Sequence, residues 1–375
     1  MALKIFLTAD VHLGMKFSSY SEAREELSDA RFKALEKCVS IANREECDLF
    51  VVAGDLFDRV SVSDRDIIRS AKILTEFQGR FCCTLPGNHD YYPSGSRDIW
   101  QLFKQHAGDN HETLKEERAY SLRTFDLDVT LYPAPCDAKH SGKNKLSWIK
   151  ESEKDKDVQY HIGVAHGSLE GFSPDFDKKY YPMRVEEFLE CGLDLWLLGH
   201  THTQYPNPEQ PTVNENIFYP GTPEPDGFDC KHEGKALLLS VDDAKNIQYK
   251  SFSTGTFHFI HDEVPLNSAP DLEKLKTRYS PQEYKGTLLK LVLKGSLQKD
   301  IYNDLFTILN SIESKIFYLH KPVDLSGLKE RITARDIETE FTEGSFPYRL
   351  LTELSKEGDS LALQIAYNLI QEVRK

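Results

Sequence analysis

Five short blocks of aspartate, asparagine and histidine constrain the fold most, because each follows a run of apolar residues. In chain order the blocks are Asp10-Val11-His12, Gly54-Asp55-Leu56-Phe57-Asp58, Gly87-Asn88-His89-Asp90, Val164-Ala165-His166-Gly167 and Gly199-His200-Thr201-His202. A short apolar run predicts a buried strand, so every block is predicted to stand where a strand ends and a loop begins. In layered α/β folds, ligands bind at that edge of the sheet.

The residue types in these blocks indicate a metal centre. Turns also favour glycine and asparagine, but they do not require histidines and aspartates at these places. The candidate ligands are Asp10, His12, Asp55, Asn88, His166, His200 and His202. Oxygen and imidazole donors without cysteine suit Mn, Fe or Zn and disfavour a structural zinc site closed by thiolates. Seven donors are too many for one tetrahedral ion and suit two ions that share a carboxylate, an arrangement that cleaves phosphate esters.

The apolar pattern predicts alternating strands and helices before residue 259. Strands are predicted at residues 4–9, 48–53 and 81–85, and helices at residues 21–46 and 64–77. Further strands are predicted at residues 120–125, 129–134, 161–165, 193–198, 216–219, 235–241 and 248–253, with a helix at residues 185–189. Such alternation indicates α/β layers.

The pattern changes after about residue 259, where none of the blocks occurs. A strand at residues 287–293, a helix at 300–314 and a strand at 315–319 form a predicted β-α-β unit. Residues 346–374 are predicted to be helical, with apolar residues at roughly amphipathic spacing, namely Leu350, Leu351, Leu354, Leu361, Ile365, Leu369 and Val373. We predict three domains: residues 1–262 with the metal site, residues 263–330 as a small α/β domain, and residues 331–375 as a helical segment that could dock a partner.

Composition narrows the class of protein. Hydrophobic residues make up 39% of the 375 residues, which is enough for a packed core. No apolar run approaches the roughly 18 residues that a membrane span needs. The first residues lack the basic and apolar regions of a signal peptide, so we expect a cytoplasmic protein without a membrane contact.

Taken together, the five blocks resemble those of the calcineurin-like metallophosphoesterases, over about residues 3–255. The resemblance implies an α/β (α+β) fold with a four-layer double β-sandwich, flanked by helices, and a site at one edge of the sheets. The ligands it implies are Asp10, His12 and His202 for one ion, Asn88, His166 and His200 for the other, and Asp55 as the bridge.

The resemblance also implies roles for residues that are not ligands. His89 would protonate the leaving group or steady the phosphate, and Asp90 would orient His89. Asp58 and Arg59 complete a Gly-Asp-x-x-Asp-Arg string and would support the site.

Longer strings resemble the SbcD-type DNA repair exonucleases and their YhaO-type branch. These strings are His166-Gly167-Ser168-Leu169-Glu170-Gly171, Tyr180-Tyr181-Pro182, Asp194-Leu195-Trp196-Leu197-Leu198-Gly199-His200 and Tyr219-Pro220-Gly221. This closer resemblance implies a Mn²⁺-dependent nuclease, often homodimeric, with a small C-terminal capping domain. It also implies C-terminal helices that dock an SbcC-like coiled-coil ATPase.

Three functions remain open at this level. The first is an exonuclease or endonuclease subunit of an SbcCD-like DNA repair complex. The second is a phosphoesterase acting on nucleotides, small phosphodiesters or phosphoproteins, which the formal net charge of −14 favours, because proteins that bind nucleic acid alone are usually basic. The third is a non-catalytic binding module, which the complete ligand set and His89 disfavour.

Overall fold

The computed structural model describes residues 2–20, 22–93, 98–207 and 214–374. The chain separates into two compact units, Met1–His258 and Phe259–Lys375. The functional division into domains 1–262, 263–330 and 331–375 stays a prediction. Ser21, in the first predicted helix, lies outside the described ranges. Within those ranges, no helix combines the length and the hydropathy needed to cross a lipid bilayer.

Two sheets form the centre of the first unit. The strands of one sheet are β1 (Leu3–Thr8), β2 (Leu49–Val52), β3 (Phe81–Thr84), β4 (His111–Thr113), β10 (Lys235–Val241) and β11 (Ile247–Ser253). The strands of the other are β5 (Tyr120–Ser121), β6 (Val129–Ala134), β7 (Tyr160–His166), β8 (Leu195–Gly199) and β9 (Ile217–Phe218). Their orders are β11-β10-β1-β2-β3-β4 and β5-β6-β7-β8-β9.

Helices cover the outer face of each sheet. They are α1 (Arg24–Arg44), α2 (Asp64–Thr75) and α3 (Ile99–Lys104) on the first sheet, and α4 (Ser147–Glu151) and α5 (Val185–Cys191) on the second. Side chains alternate along each strand, so Ile5 and Leu7 pack between the sheets while Phe6 packs against helices. In β6, Leu131 faces the first sheet and Tyr132 faces the helices. These four layers confirm the predicted double β-sandwich.

Parallel strands bring the five blocks to one edge of each sheet. Thr8 of β1 lies beside Val52 of β2, and Val52 lies beside Thr84 of β3. In the second sheet, His166 at the end of β7 lies beside Gly199 at the end of β8. Each block therefore begins where its strand ends, as the apolar runs predict.

Two predicted elements differ from the observed ones in type or continuity. The predicted strand at residues 120–125 ends after Ser121 and gives way to a 3₁₀ helix, Arg123–Phe125, because the chain reverses here to pair β5 antiparallel with β6. The predicted helix at residues 346–374 is two helices, α9 (Phe346–Glu357) and α10 (Ser360–Arg374). Gly358 ends α9 with a left-handed backbone (φ 74°), which interrupts helical hydrogen bonding.

The second unit contains the predicted β-α-β segment. Its sheet consists of β12 (His258–Leu266), β13 (Thr287–Gln298), β14 (Tyr318–Leu319) and β15 (Asp324–Arg331), and its first helices are α6 (Ala269–Arg278) and α7 (Lys299–Glu313). The strands β13 and β14 are parallel, as a connection through α7 requires. The observed β14 is shorter than the predicted strand at residues 315–319.

The C-terminal helices of this unit form a cluster of their own. After α8 (Ala334–Glu340), the helices α9 and α10 bury Leu351, Leu363 and Tyr367. A second row of apolar side chains on α10 is exposed to solvent instead, comprising Leu361, Ile365, Leu369 and Val373. We call this row the α10 stripe.

Candidate metal centre

All seven predicted ligands converge where β1, β2, β3, β7 and β8 end. Donor atoms of five of them, together with His89, form overlapping groups within 4.8 Å, namely Asp10, His12 and His202, then His12, Asp55 and His89, then Asp10, Asp55 and His166. The remaining predicted ligands, Asn88 and His200, contact this cluster directly. The assignment of these seven residues as metal ligands stays a prediction.

The first group surrounds the end of β1. Nε2 of His12 lies 3.2 Å from Nε2 of His202. The Asp10 carboxylate is fully buried and accepts the main-chain N–H of His200 at 2.9 and 3.1 Å. Two imidazole nitrogens and a carboxylate thus face one small volume.

The second group is centred on Asn88. Its Oδ1 lies 3.0 Å from Nε2 of His166 and 3.1 Å from Nδ1 of His200. Nδ1 of His166 donates to the Ala53 carbonyl at 2.9 Å, and this bond turns Nε2 toward Asn88. An amide oxygen and two imidazole nitrogens therefore meet at a second point.

Asp55 lies between the two groups. Its Oδ2 is 3.3 Å from Nε2 of His166 and 3.8 Å from Nε2 of His12. Its Oδ1 accepts the main-chain N–H of His89 at 2.8 Å, which fixes the carboxylate. Asp55 thus has the geometry expected of a bridging carboxylate.

Four of the predicted ligands have a left-handed backbone. The φ values are 55° for Asp10, 49° for His12, 53° for Asp55 and 99° for His200. Such conformations cost non-glycine residues about 1–3 kcal/mol each and concentrate at functional sites. Gly54 (φ 96°) makes the close packing possible, since a Cβ there would lie 2.0 Å from Nδ1 of His166.

His89 is held differently from the prediction. Nδ1 of its ring donates to the main-chain carbonyl of Asp58 at 2.9 Å, and Nε2 has no hydrogen-bond partner among the described residues. The carboxylate of Asp90 instead accepts the main-chain N–H of Gly87 at 2.7 Å and of Phe57 at 2.9 Å. Asp90 therefore fixes the turn that carries His89, while Asp58 orients the His89 ring.

Asp58 and Arg59 lie beside the site, as predicted for supporting residues. Arg59 pairs with the carboxylate of Asp58 and donates to the Gly14 carbonyl at 3.4 Å. The main-chain N–H of Asp58 donates to the Leu13 carbonyl at 3.0 Å. These contacts join the loops that follow β1 and β2.

Sequence reasoning missed Arg31, a fully buried guanidinium on α1. It donates to the carbonyls of Val11 at 2.6 Å, Asp10 at 3.2 Å and Glu224 at 3.2 Å, and to Oγ1 of Thr222 at 3.2 Å. A buried charge of this kind is stabilised by its hydrogen bonds, which here tie the loop after β1 to residues 222–224. The available signal was an arginine on the apolar face of a helix.

Sequence reasoning also missed Asp226. Its Oδ2 lies 2.8 Å from Nδ1 of His202. Burial lowers the pKa of His202, but the hydrogen bond and charge of Asp226, with the charge of Asp10, raise this pKa to about 9. The contact fixes the ring so that Nε2 points toward His12.

A family comparison agrees with this geometry. The family model described as calcineurin-like phosphoesterase matches residues 3–204, which is more than half of the chain. The chain belongs to the calcineurin-like phosphoesterases. The family predicted from the five blocks is confirmed, and the chain is a metal-dependent phosphoester hydrolase by family. The SbcD-type exonuclease branch stays a prediction.

Individual proteins similar to this calcineurin-like phosphoesterase come from bacteria and plants. It is 26% identical over 304 residues to the uncharacterized metallophosphoesterase YhaO of Bacillus subtilis (strain 168), covering 77% of this chain and 68% of YhaO. It is similar to the structure of calcineurin-like phosphoesterase YfkN from Bacillus subtilis, with 14% identity and a TM-score of 0.42, over 68% of this chain and 91% of that one. Purple acid phosphatase PPD1 from yellow lupin (Lupinus luteus) seeds gives 13% identity and a TM-score of 0.42, over 68% of this chain. The chain spans about half of the lupin phosphatase, 52%.

Calcineurin-like phosphoesterases typically bind two divalent metals, and the residues present fit such a pair. Burial lowers the pKa of His166, but Asp55 and Asp10 raise it to about 9. Burial lowers the pKa of His12 and brings that of His200 to about 3, which leaves these two imidazoles in the neutral form that binds a metal. Donor atoms 3.0–3.2 Å apart have about the spacing of adjacent ligands around one ion, and the buried carboxylates of Asp10 and Asp55 would supply the negative charge that holds divalent cations.

The donors open onto a cavity of about 500 Å³ that is lined by Asp55, Asn88, His89 and His200, among others. A larger concavity of about 1150 Å³ lies near the start of α1 and α2, and none of the seven predicted ligands lines its described surface. The proposed ligands that line the smaller cavity, rather than its volume, therefore identify it as the site.

Proposed function

We propose that this calcineurin-like phosphoesterase is a two-metal phosphodiesterase that cleaves DNA, as the nuclease subunit of an SbcCD-like repair complex in the cytoplasm. The convergence of seven donors around Asp55 carries the phosphodiesterase part of the proposal. The strings that resemble SbcD-type and YhaO-type proteins support DNA as the substrate.

The proposed ligands are those of the two observed groups, namely Asp10, His12 and His202, then Asn88, His166 and His200, with Asp55 shared. Two divalent cations, Mn²⁺ in this proposal with Fe or Zn as alternatives, would neutralise charge on the phosphoryl oxygens and lower the pKa of a water.

His89 is the proposed proton donor to the leaving oxygen. Its Nδ1 is engaged by Asp58, so Nε2 is the ring atom left for a substrate in the cavity that His89 lines. A positioned general acid contributes about 10²–10⁴-fold to a rate. The Asp55 carboxylate accepts the main-chain N–H of His89, so the proposed proton donor is held beside the proposed bridging ligand.

The α10 stripe is the proposed docking surface for an SbcC-like coiled-coil ATPase. Leu361 is 61% exposed and Val373 is 88% exposed, and the four residues repeat every fourth position. Rows of this spacing form the ridges through which helices pack on one another. The alternative is a homodimer in which the α10 stripes of two chains pack against each other.

The test of the catalytic proposal is digestion of linear DNA over a panel of divalent metals. We expect Mn²⁺-dependent cleavage that chelation abolishes and that His89→Ala lowers about 10²–10⁴-fold. The matched control is His106→Ala, an exposed histidine outside the cavity lining, which should retain full activity.

A second candidate function, a phosphoesterase that acts on substrates other than DNA, is supported by the charge of the chain. The net charge of −14 favours a substrate smaller than DNA, such as a nucleotide, a small phosphodiester or a phosphoprotein. Turnover of nucleotides or of a bis-aryl phosphodiester, without DNA cleavage under any metal or with an ATPase partner, would establish this function instead. A chain that takes up neither Mn²⁺ nor Fe or Zn ions would contradict both functions.

A further inference from the structure

The metal cavity adjoins a second cavity with an aromatic lining. The second cavity has a volume of about 770 Å³ and shares Pro174, Asp175 and Tyr180 with the first. Its lining also includes the rings of His140 and Phe176. A substrate held at the metal centre therefore has room to extend past Tyr180 onto aromatic side chains.

Three rings lead outward from the metal centre. The Tyr180 ring lies 5.0 Å from the His200 ring at an interplanar angle of 33°. The His140 ring lies 5.2 Å from the Tyr180 ring at 58°. His200 is a proposed ligand and His140 is exposed, so the rings connect the centre with the surface.

Phe176 presents its ring to solvent in the same cavity. It is 95% exposed, and single exposed apolar residues are ordinary on protein surfaces. Phe176 differs because its loop is fixed. The Asp175 carboxylate accepts from Oγ of Ser168 at 2.9 Å and from the main-chain N–H of Tyr180 at 3.0 Å and Lys179 at 3.1 Å.

The cations of this loop are already paired with acids. Lys178 contacts Glu170 at 2.6 Å, and Lys179 contacts Asp177 at 2.7 Å. A second phosphate would therefore meet little uncompensated positive charge here. Flat aromatic groups of a substrate, by contrast, would find rings on which to stack.

We propose that Phe176, Tyr180 and His140 form a stacking surface for the nucleobase beside the scissile phosphate. The inference rests on the proposed function and narrows its substrate class to unpaired nucleotides, because bases within a duplex already stack on their neighbours. Every base has a π-face, so the surface selects single strands or frayed ends without selecting a base sequence.

The test compares two oligomers of equal length, one of thymidine nucleotides and one of abasic nucleotides, with Mn²⁺ present. Stacking on an aromatic side chain changes binding about 5-fold or more per base. We expect kcat/KM for the thymidine oligomer to exceed that for the abasic oligomer by at least about 5-fold. Phe176→Ala should remove most of this difference by lowering kcat/KM for the thymidine oligomer.

Two variants control for structure. Phe176→Trp keeps an aromatic face and should retain the preference for bases. Leu189→Ala removes another exposed apolar side chain (65% exposed) outside both cavity linings, and it should change neither rate. Binding gives an independent readout in the presence of a chelator. The fluorescence of an oligonucleotide that contains 2-aminopurine should fall when the chain binds it, and it should fall less with Phe176→Ala.

The outcomes separate the two proposals. Equal cleavage of both oligomers, or a thymidine preference that survives Phe176→Ala and Tyr180→Ala, would overturn the stacking surface and leave DNA cleavage in place. Cleavage of neither oligomer under any metal would overturn the proposed function and the stacking surface with it.

Discussion

Asp226 shows how much of the site depends on residues that carry no motif. It contacts a proposed ligand from a segment 24 positions further along the chain. The seven donors were predictable because each one follows an apolar run that marks a strand end. Asp226 and Arg31 were not, because only the folded chain brings them to the ligands.

We expect Asp226→Ala to weaken Mn²⁺ binding by about 10–100-fold, because the carboxylate fixes the orientation and the proton position of the His202 ring. Isothermal titration of the metal-free chain with Mn²⁺ measures this change. Asp229→Ala removes an exposed carboxylate from the same cavity and serves as the control. Equal affinities for the two variants would contradict the positioning role.

Among helices and strands, the periodicity of apolar residues predicted the layers of the fold better than it predicted where each element begins and ends. Strands such as β6 and β10 have the predicted bounds, because apolar residues occupy most of these positions. The prediction failed where one residue decides the chain's direction, as Gly358 does between α9 and α10. A left-handed glycine does not disturb the apolar spacing on either side, so the two helices look continuous in the sequence.

The α10 helix offers a matched pair of leucines for a stability experiment. Leu363 is buried and Leu361 is exposed. We expect Leu363→Ala to lower the free energy of unfolding by about 3 kcal/mol and Leu361→Ala to change it by less than about 0.5 kcal/mol. Denaturant titration of the chain without a partner measures both values.

A large effect of Leu361→Ala would contradict an open stripe. It would mean that a second copy of the chain covers the stripe in solution, and unfolding would then depend on protein concentration. A small effect would leave the stripe available to the proposed ATPase.

For the whole molecule, the net charge of −14 disfavours binding of nucleic acid through many phosphate contacts. Proteins that neutralise many phosphates release counterions, and their affinity falls steeply with salt. Two lysines near the site are paired with acids, Lys145 with Asp137 and Lys178 with Glu170. Binding by this chain alone should therefore depend on stacking and on the metal centre.

We expect the affinity of the isolated chain for a single-stranded oligonucleotide to fall less than about 10-fold between 50 and 200 mM salt, since few phosphates are neutralised. Fluorescence anisotropy measures the affinity at each salt concentration. A loss of about 10³-fold or more would indicate six or more phosphate contacts and contradict this expectation.

The hydrogen bond from the His200 main chain to the Asp10 carboxylate joins residues 190 positions apart. Contacts of such long range form late, because the chain must first lose the entropy of the intervening loop. During synthesis, Asp10 is made long before His200 exists. We therefore expect metal capture to follow the joining of the two sheets, because before then a nascent chain offers only scattered donors.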